Sequence, residues 1–285
     1  MLRFAGALTG LLLIAGAAML VLPPSWLAGP VSDKPRAMMG SGFVNDHPDV
    51  APWTWAWSGY LDLRVDDPAG TNIIIWNHGT EAERTAPGCT SLKHAPPPSI
   101  LALERIGRTR VYYLCTKQGQ GEETHIALRR GQEIMALVAR FRALGVPPGR
   151  IFLAGQSMGG CAALFALGQI PEEVNAGLLF ATACFGMGEG IRRARGRLSG
   201  AEQRVEARLL EAENLRALMV AFRKDRWNKP AHLGHLSRRY GESVEIVSPA
   251  CGANHSGAYY GCGLETVATL VETYFRARLE AADAL

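Results

Sequence analysis

Two kinds of apolar pattern alternate along the chain. Short apolar runs rich in β-branched or aromatic residues are typical of strands that a parallel sheet buries on both faces. Longer stretches in which apolar residues recur every three or four positions are typical of amphipathic helices. The predicted strands are 71–76, 110–115, 151–154, 174–185, 215–222 and 243–247, and the predicted helices are 99–106, 122–144, a helix beginning at 160, 231–240 and 264–279. This alternation predicts an α/β fold, with a mostly parallel sheet between two layers of helices.

Three segments depart from the alternation. Over 52–65, tryptophans occupy every second position before an extended apolar stretch, which predicts one or two strands, as a hairpin, at the edge of the sheet. Residues 31–50 contain Pro, Gly, Asp and Met without periodicity, and they predict a linker that leads into a folded domain over 51–285. Residues 186–214 are polar with a helical pattern, and they separate two predicted strands.

The first 30 residues differ from the rest. Residues 4–22 carry no charge, and 19 residues at about 1.5 Å each are just long enough to cross a hydrocarbon core of about 30 Å. A cleaved signal peptide is the alternative to such an anchor, since Ala15-Gly16-Ala17 matches a small-residue cleavage site. Both hypotheses predict export across a membrane, giving either a periplasmic or secreted protein or one tethered by its anchor. A hydrophobic helix packed on a cytosolic domain is the third alternative.

The remaining composition is that of one large globular domain. The chain has 285 residues, of which 48% are apolar and 20% charged, enough to build a substantial core. A net charge of +4, scattered along the chain, together with the absence of any nucleic-acid-binding motif, argues against a nucleic-acid partner. No Cys or His cluster has the spacing of metal ligands, so neither a metal nor another cofactor is expected.

Six cysteines fit an oxidising compartment. The candidate disulfides are Cys251 with Cys262, across a short glycine-rich loop, and Cys89 with Cys115. Cys161 and Cys184 lie in apolar surroundings and are expected to be buried thiols unless they pair with each other.

The stretch 151–164, IFLAGQSMGGCAAL, carries the clearest candidate chemistry. Ser157 lies between Gly155 and Gly159, where a predicted strand gives way to a predicted helix. These glycines allow strand and helix to approach closely, and the turn lifts the Ser157 hydroxyl clear of the backbone. The first N–H groups of the helix favour negative charge nearby. The alternative is a buried strand and a helix, with Ser157 as an ordinary cap.

A serine hydroxyl is a weak nucleophile, so a catalytic Ser157 needs a base, and that base needs an orienting acid. In an α/β fold such groups gather where the parallel strands end. His255 follows the last predicted strand in a glycine-containing loop and is the candidate base. Asp225 follows the strand 215–222 and is the only Asp between Ser157 and His255, so it is the candidate acid. The alternative acids are Glu189 and Glu213.

Acyl transfer also needs N–H donors for a developing oxyanion. The N–H of Met158, directly after Ser157, is one candidate. The second donor is expected in the Asn-His-Gly-Thr turn that follows the strand 71–76. The candidates there are the backbone N–H groups of Gly79, Thr80 and Glu81. His78, in the same turn, is expected to brace the loop rather than to transfer protons.

Over about residues 60–280 the chain resembles the α/β-hydrolase superfamily. The resemblance rests on the N-H-G-T turn, the G-Q-S-M-G-G elbow, the N-H-S-G sequence around His255 and the chain order Ser157, Asp225, His255. It implies an eight-stranded, mostly parallel sheet with helices on both faces, and a small lid insertion over 186–214. It also implies that Ser157 is the nucleophile, His255 the base and Asp225 the acid. The turn has a single H-G where lipase-type members have H-G-G-G, which leaves the second oxyanion donor open by one residue.

Together these features predict a serine hydrolase, and specifically a carboxylic-ester hydrolase that forms an acyl-enzyme with a small-molecule or lipid ester. A peptidase or amidase with the same three residues is one alternative, because no pocket in the sequence distinguishes the leaving groups. A catalytically idle hydrolase fold that serves as a membrane-tethered binding module is another. Membrane association is expected through residues 4–22, and the oligomeric state is left open.

Overall fold

The computed structural model describes residues 42–45, 65–79, 95–115, 126–184, 207–209, 211–227, 229–250, 253–260 and 263–284. Within this part of the chain one sheet has the strand order β1-β3-β2-β4-β5-β6-β7, and every neighbouring pair is parallel. The strands are β1 (Gly42–Asn45), β2 (Asn72–Asn77), β3 (Thr109–Cys115), β4 (Ile151–Gln156), β5 (Ala176–Phe180), β6 (Ala217–Val220) and β7 (Val244–Val247). The α-helices are α1 (Pro98–Leu101), α2 (Ile126–Ala143), α3 (Met158–Gln169), α4 (Pro230–Tyr240) and α5 (Gly263–Asp283).

Strand β2 shows why helices must cover both faces of the sheet. Successive side chains of a strand point to opposite faces. Ile73 and Ile75 therefore join the core layer that contains α2, α3 and α4, whereas Ile74 and Trp76 join the layer that contains α1 and α5. All four side chains are at most 1% exposed, and burying each of them contributes about 1.5–3 kcal/mol. A continuous apolar strand is stable only in such a sandwich.

Because all the strands are parallel, their carboxyl ends meet at one edge of the sheet. The loops at this edge include 78–79 after β2, 157 after β4, 181–184 after β5, 221–227 after β6 and 253–260 after β7. Loops that gather at the carboxyl ends of parallel strands usually form the ligand site of an α/β fold.

The α/β class and the parallel sheet are confirmed. Seven strands lie in the described part, against the eight expected, and residues 52–64 of the expected hairpin lie outside the described ranges. Strand β5 ends at Phe180 rather than at 185, because Ala181 adopts a positive φ of 44° and turns the chain.

Residues 42–45 form strand β1, so the prediction of a linker over 31–50 is wrong at these positions. The strand pairs with β3, with Gly42 opposite Tyr112 and Asn45 opposite Cys115. Four residues, with one hydrogen-bonded neighbour among the described strands, are too few to produce a recognisable hydrophobic period. The sequence pattern therefore missed a strand that pairing with β3 defines.

Several helices differ in their bounds from the prediction. The expected helix 99–106 is one α-helical turn, α1, followed by a 3₁₀ turn over Ala102–Arg105. Helix α5 runs to Asp283, past the expected end at 279. In the segment expected to be a lid, residues 185–206 lie outside the described ranges, and Leu209 is buried in the core. The Tyr240 hydroxyl donates a hydrogen bond to the carbonyl of Leu209, which ties this end of the segment to α4.

Residues 1–41, which include the expected signal peptide or anchor, lie outside the described ranges. The described helices include none that combines the length and the apolar character needed to cross a bilayer.

Candidate active site

Ser157 lies at a sharp turn between β4 and α3. Its φ of 57° and ψ of −121° are unusual for a residue with a side chain, and such strain costs on the order of 1–3 kcal/mol. The turn is held from β5 and its following loop: Ser157 N–H donates to the carbonyl of Phe180 at 3.0 Å, and its carbonyl accepts from Ala183 N–H at 3.1 Å. A Cβ on Gly155 would lie 2.5 Å from the carbonyl oxygen of Gly159, so the close approach requires glycine. The predicted strand–turn–helix elbow is therefore present.

His255 and Asp225 reach Ser157 from two other loops at the same edge. His255 Nε2 lies 2.9 Å from Ser157 Oγ, and His255 Nδ1 lies 2.8 Å from Asp225 Oδ2. The second oxygen, Asp225 Oδ1, accepts a hydrogen bond from Trp227 N–H at 2.8 Å. A carboxylate only accepts, so the proton of a neutral His255 sits on Nδ1. Nε2 is then free to accept the proton of the Ser157 hydroxyl.

The electrostatics of this chain of bonds favour proton transfer to His255. Asp225 is 0% exposed, whereas the His255 side chain is 23% exposed. A buried carboxylate stabilises an adjacent imidazolium, because their attraction is weakly screened in a low-dielectric interior. Of the alternative acids, Glu213 is exposed to solvent and Glu189 lies outside the described residues.

The turn after β2 lies directly against the elbow. A Cβ on Gly79 would lie 2.6 Å from Gln156 Oε1 and 3.4 Å from Ser157 Cβ. Met158, whose N–H is the first expected oxyanion donor, follows Ser157 in the chain and is buried. Two of the four expected donor positions, Met158 and Gly79, thus adjoin Ser157, and the other two, Thr80 and Glu81, lie outside the described residues.

His78 is part of the scaffold of this turn. It is buried, its Nδ1 donates to the carbonyl of Gly79 at 2.7 Å, and its ring meets the ring of Tyr113 edge-on. These contacts suit the bracing role expected for His78.

Comparison with solved structures identifies the fold. Est1E from Butyrivibrio proteoclasticus matches with a TM-score of 0.54 at 16% identity, over 75% of this chain and 91% of that one. The apo form of Thermogutta terrifontis esterase 2 matches with a TM-score of 0.56 at 15% identity, over 75% and 85%. A structure of the metagenome-derived lipolytic enzymes LipS and LipT matches with a TM-score of 0.51 at 16% identity, over 73% and 95%. The fold is that of the α/β-hydrolases. No protein-family model matches the sequence, and no curated protein does.

Two residues of the candidate site were not singled out from the sequence. Arg130, on α2, is fully buried and donates from Nη1 to the carbonyl of His78 at 2.7 Å. Gln156, directly before Ser157, donates from Nε2 to the carbonyl of His255 at 3.2 Å. The sequence does contain a signal that could have identified Arg130. This residue lies four positions after Ile126 on the apolar stripe of α2, where a charged side chain is not expected.

A disulfide joins Cys161 to Cys184 beneath the elbow. It links the first turn of α3 to the loop after β5, so these residues pair with each other instead of remaining thiols. The other two expected disulfides involve residues outside the described ranges or a side chain that is not described. Within the described residues, no group of three or more His, Cys, Asp or Glu side chains is arranged to hold a metal ion.

Proposed function

We propose that this protein is a serine hydrolase that cleaves carboxylic esters through an acyl-enzyme on Ser157. The observation that carries the proposal is the unbroken hydrogen-bonded chain from Ser157 Oγ through His255 to the buried Asp225. A serine that serves only as a helix cap needs neither a strained backbone conformation nor a hydrogen-bonded histidine that is itself bonded to a buried carboxylate. Gly79 and Met158, whose N–H groups are the candidate oxyanion donors, both adjoin Ser157, which supports the proposal.

In the proposed mechanism, Ser157 Oγ attacks the ester carbonyl carbon while His255 Nε2 takes the hydroxyl proton. Asp225 stabilises the imidazolium that forms. The carbonyl oxygen gains negative charge and is stabilised by the N–H groups of Met158 and Gly79, each donor contributing about 10²–10³-fold in rate. The tetrahedral intermediate collapses, and His255 gives its proton to the departing alcohol. Water then attacks the acyl-enzyme by the same route, which releases the acid and restores the Ser157 hydroxyl.

The fold neighbours support an ester rather than an amide substrate. Est1E has been solved with ferulic acid bound, and T. terrifontis esterase 2 with butyrate bound and after phosphorylation by paraoxon. The second of these proteins is named an esterase. This chain presents the same fold, with a serine, a histidine and an aspartate joined at the expected edge, so a small carboxylic ester is the substrate class that we propose.

The proposal is tested by labelling and by hydrolysis. A fluorophosphonate probe is expected to label the wild-type protein and not the Ser157→Ala variant. Ser243→Ala is the matched control: this serine is exposed, its hydroxyl donates to the carbonyl of Tyr240, and its loss is expected to leave labelling unchanged. Absence of any label on the wild type would support the idle binding module instead.

The leaving group is tested with a matched pair of substrates. We expect p-nitrophenyl butyrate to be hydrolysed with a kcat/KM at least about 10²-fold above that of the p-nitroanilide of the same acid, and His255→Ala to lose about 10³-fold or more. An anilide rate equal to the ester rate would point to the amidase or peptidase alternative.

Export is part of the same proposal. The uncharged residues 4–22 and the disulfide between Cys161 and Cys184 both support an oxidising compartment beyond a membrane. Amino-terminal sequencing of the protein purified from its host separates cleavage near Ala17 from a retained anchor, and recovery of the uncleaved protein in the soluble cytosol would contradict export.

A further inference from the structure

Arg130 carries a charge inside the apolar core, where desolvation of a charged group is unfavourable. It is 0% exposed and lies on the stripe of α2 that packs against α3, among Ala127, Ile134 and Leu137. Arginine is almost never fully buried unless it is paired. Burial lowers the pKa of Arg130 to about 10, with attraction from Tyr113 and Glu133 acting in the opposite direction. The guanidinium therefore still carries its charge at neutral pH, inside the core.

Its hydrogen bonds run to the turn after β2. Nη1 of Arg130 lies 2.7 Å from the carbonyl oxygen of His78 and 3.4 Å from that of Gly79. Nε and the other terminal nitrogen of Arg130 have no hydrogen-bond partner among the described residues. A fold that needed only a filled space here would be better served by an apolar residue, because that would avoid the desolvation of a charge and of two unpaired donors.

The geometry of the peptide bond connects these contacts with the oxyanion position. A trans peptide is planar, so its N–H points away from its C=O. The C=O of His78 belongs to the same peptide as the N–H of Gly79. A C=O held by the guanidinium of Arg130 therefore directs the N–H of Gly79 away from that guanidinium. Gly79 itself lies against the elbow, since a Cβ on it would be 3.4 Å from Ser157 Cβ.

We propose that Arg130 is a positioning residue that holds the His78–Gly79 turn so that the Gly79 N–H stays aimed at the oxyanion that forms when Ser157 attacks a carbonyl. This inference rests on the proposed function. A positive charge on the carbonyl side also polarises the His78–Gly79 peptide and strengthens the Gly79 N–H as a donor. Donors that are oriented before the reaction need no reorganisation when the charge develops.

The experiment compares Arg130→Met with Arg130→Lys and with the control Arg129→Met. Methionine fills the space without hydrogen-bond donors, whereas lysine keeps the positive charge and one donor nitrogen. Arg129 carries the adjacent guanidinium on α2, and its Nε and Nη2 have no hydrogen-bond partner among the described residues. Each variant is titrated to its endpoint with a fluorophosphonate, and kcat is then expressed per active site. Binding of an aryl trifluoromethyl ketone, which forms an oxyanion on the serine, is measured in parallel.

For Arg130→Met we expect kcat per titrated site to fall about 10–100-fold, with KM changed less than about threefold and ketone affinity lowered by a similar factor to kcat. Arg130→Lys is expected to recover part of the loss, and Arg129→Met to stay within about twofold of the wild type. A merely structural role would reduce the fraction of titratable sites and leave kcat per site unchanged.

The possible outcomes separate this inference from the proposed function. An active wild type with an unchanged kcat per site in Arg130→Met overturns the positioning role alone, as does a loss confined to KM or an equal loss in Arg129→Met. If Arg130→Met does not fold, the test rests on Arg130→Lys. In that variant kcat and ketone affinity are expected to fall together by about 3–10-fold. Wild-type values for both quantities overturn the inference. A wild type that neither hydrolyses esters nor labels at Ser157 overturns the proposed function and this inference with it.

Discussion

Replacing Gly159 by alanine tests how tightly the elbow and the turn after β2 fit together. Gly159 is the second residue of α3, and on an open helix surface this change would stabilise the protein by about 0.5–1 kcal/mol. Here an added methyl group would lie well inside van der Waals contact of the carbonyl oxygens of Asn77 and His78. Both are backbone atoms, so no side-chain rotation can relieve the overlap.

The magnitude follows from what must move. The added methyl group and the two carbonyl oxygens would have to move about 1 Å further apart before the contact became an ordinary van der Waals contact. Asn77 cannot yield easily, because it pairs with Leu114 of β3 on one side and Gly155 of β4 on the other. We therefore expect a loss of about 1–3 kcal/mol in the free energy of unfolding. Displacing the elbow or the turn by about 1 Å is also expected to lower kcat about 10²-fold.

The assay pairs urea unfolding with kcat per titrated site, for Gly159→Ala and for the control Gly168→Ala. Gly168 lies on the same helix, but its added Cβ would meet Ala212 Cβ at 3.3 Å and Leu209 Cδ2 at 3.5 Å, close to ordinary contact. The control is expected to keep its kcat and to change the free energy of unfolding by less than about 1 kcal/mol. Wild-type kcat in Gly159→Ala, or equal losses in both variants, would refute the reasoning.

Two further changes test the buried supports of the site. Asp225→Asn is expected to lower kcat about 10³–10⁴-fold with little change in KM, because an amide cannot hold the His255 tautomer or stabilise its imidazolium; near-normal kcat would show that another group is the acid. Replacing Cys161 and Cys184 together by alanine opens a loop with a sequence separation of 23 and is expected to lower the free energy of unfolding by about 3 kcal/mol. Urea titration of this variant, and of the wild type with and without a reductant, measures the loss, and coincident midpoints in all of these samples would contradict the pairing.

Local patterns in the sequence were sufficient for the fold class and for three loops of the candidate site. The β-branched run of β2 predicts burial on both faces, since no other environment covers two apolar faces of one strand. Two glycines around Ser157 predict a sharp turn, because they remove the Cβ atoms that would block it. His255 and Asp225 could be named from their positions after strands, since parallel strands bring their carboxyl ends to one edge.

Contacts between residues far apart in the chain were beyond such reasoning. Arg130 lies 52 residues from His78, and a charged residue on an apolar helix stripe does not by itself say which carbonyls it will meet. The pairing of Cys161 with Cys184 likewise depends on α3 and the loop after β5 coming together. Strand β1 exists because β3 offers it a neighbour.

The amino-acid sequence thus determined the α/β class, the elbow at Ser157 and the identity of its two partners, because hydrophobic period and glycine placement act over a few residues. The packing of α2 and α3 against the sheet decided the support beneath the site, from the Arg130 guanidinium to the disulfide. Those contacts depend on distances between elements, and only the assembled sheet and its helix layers set such distances.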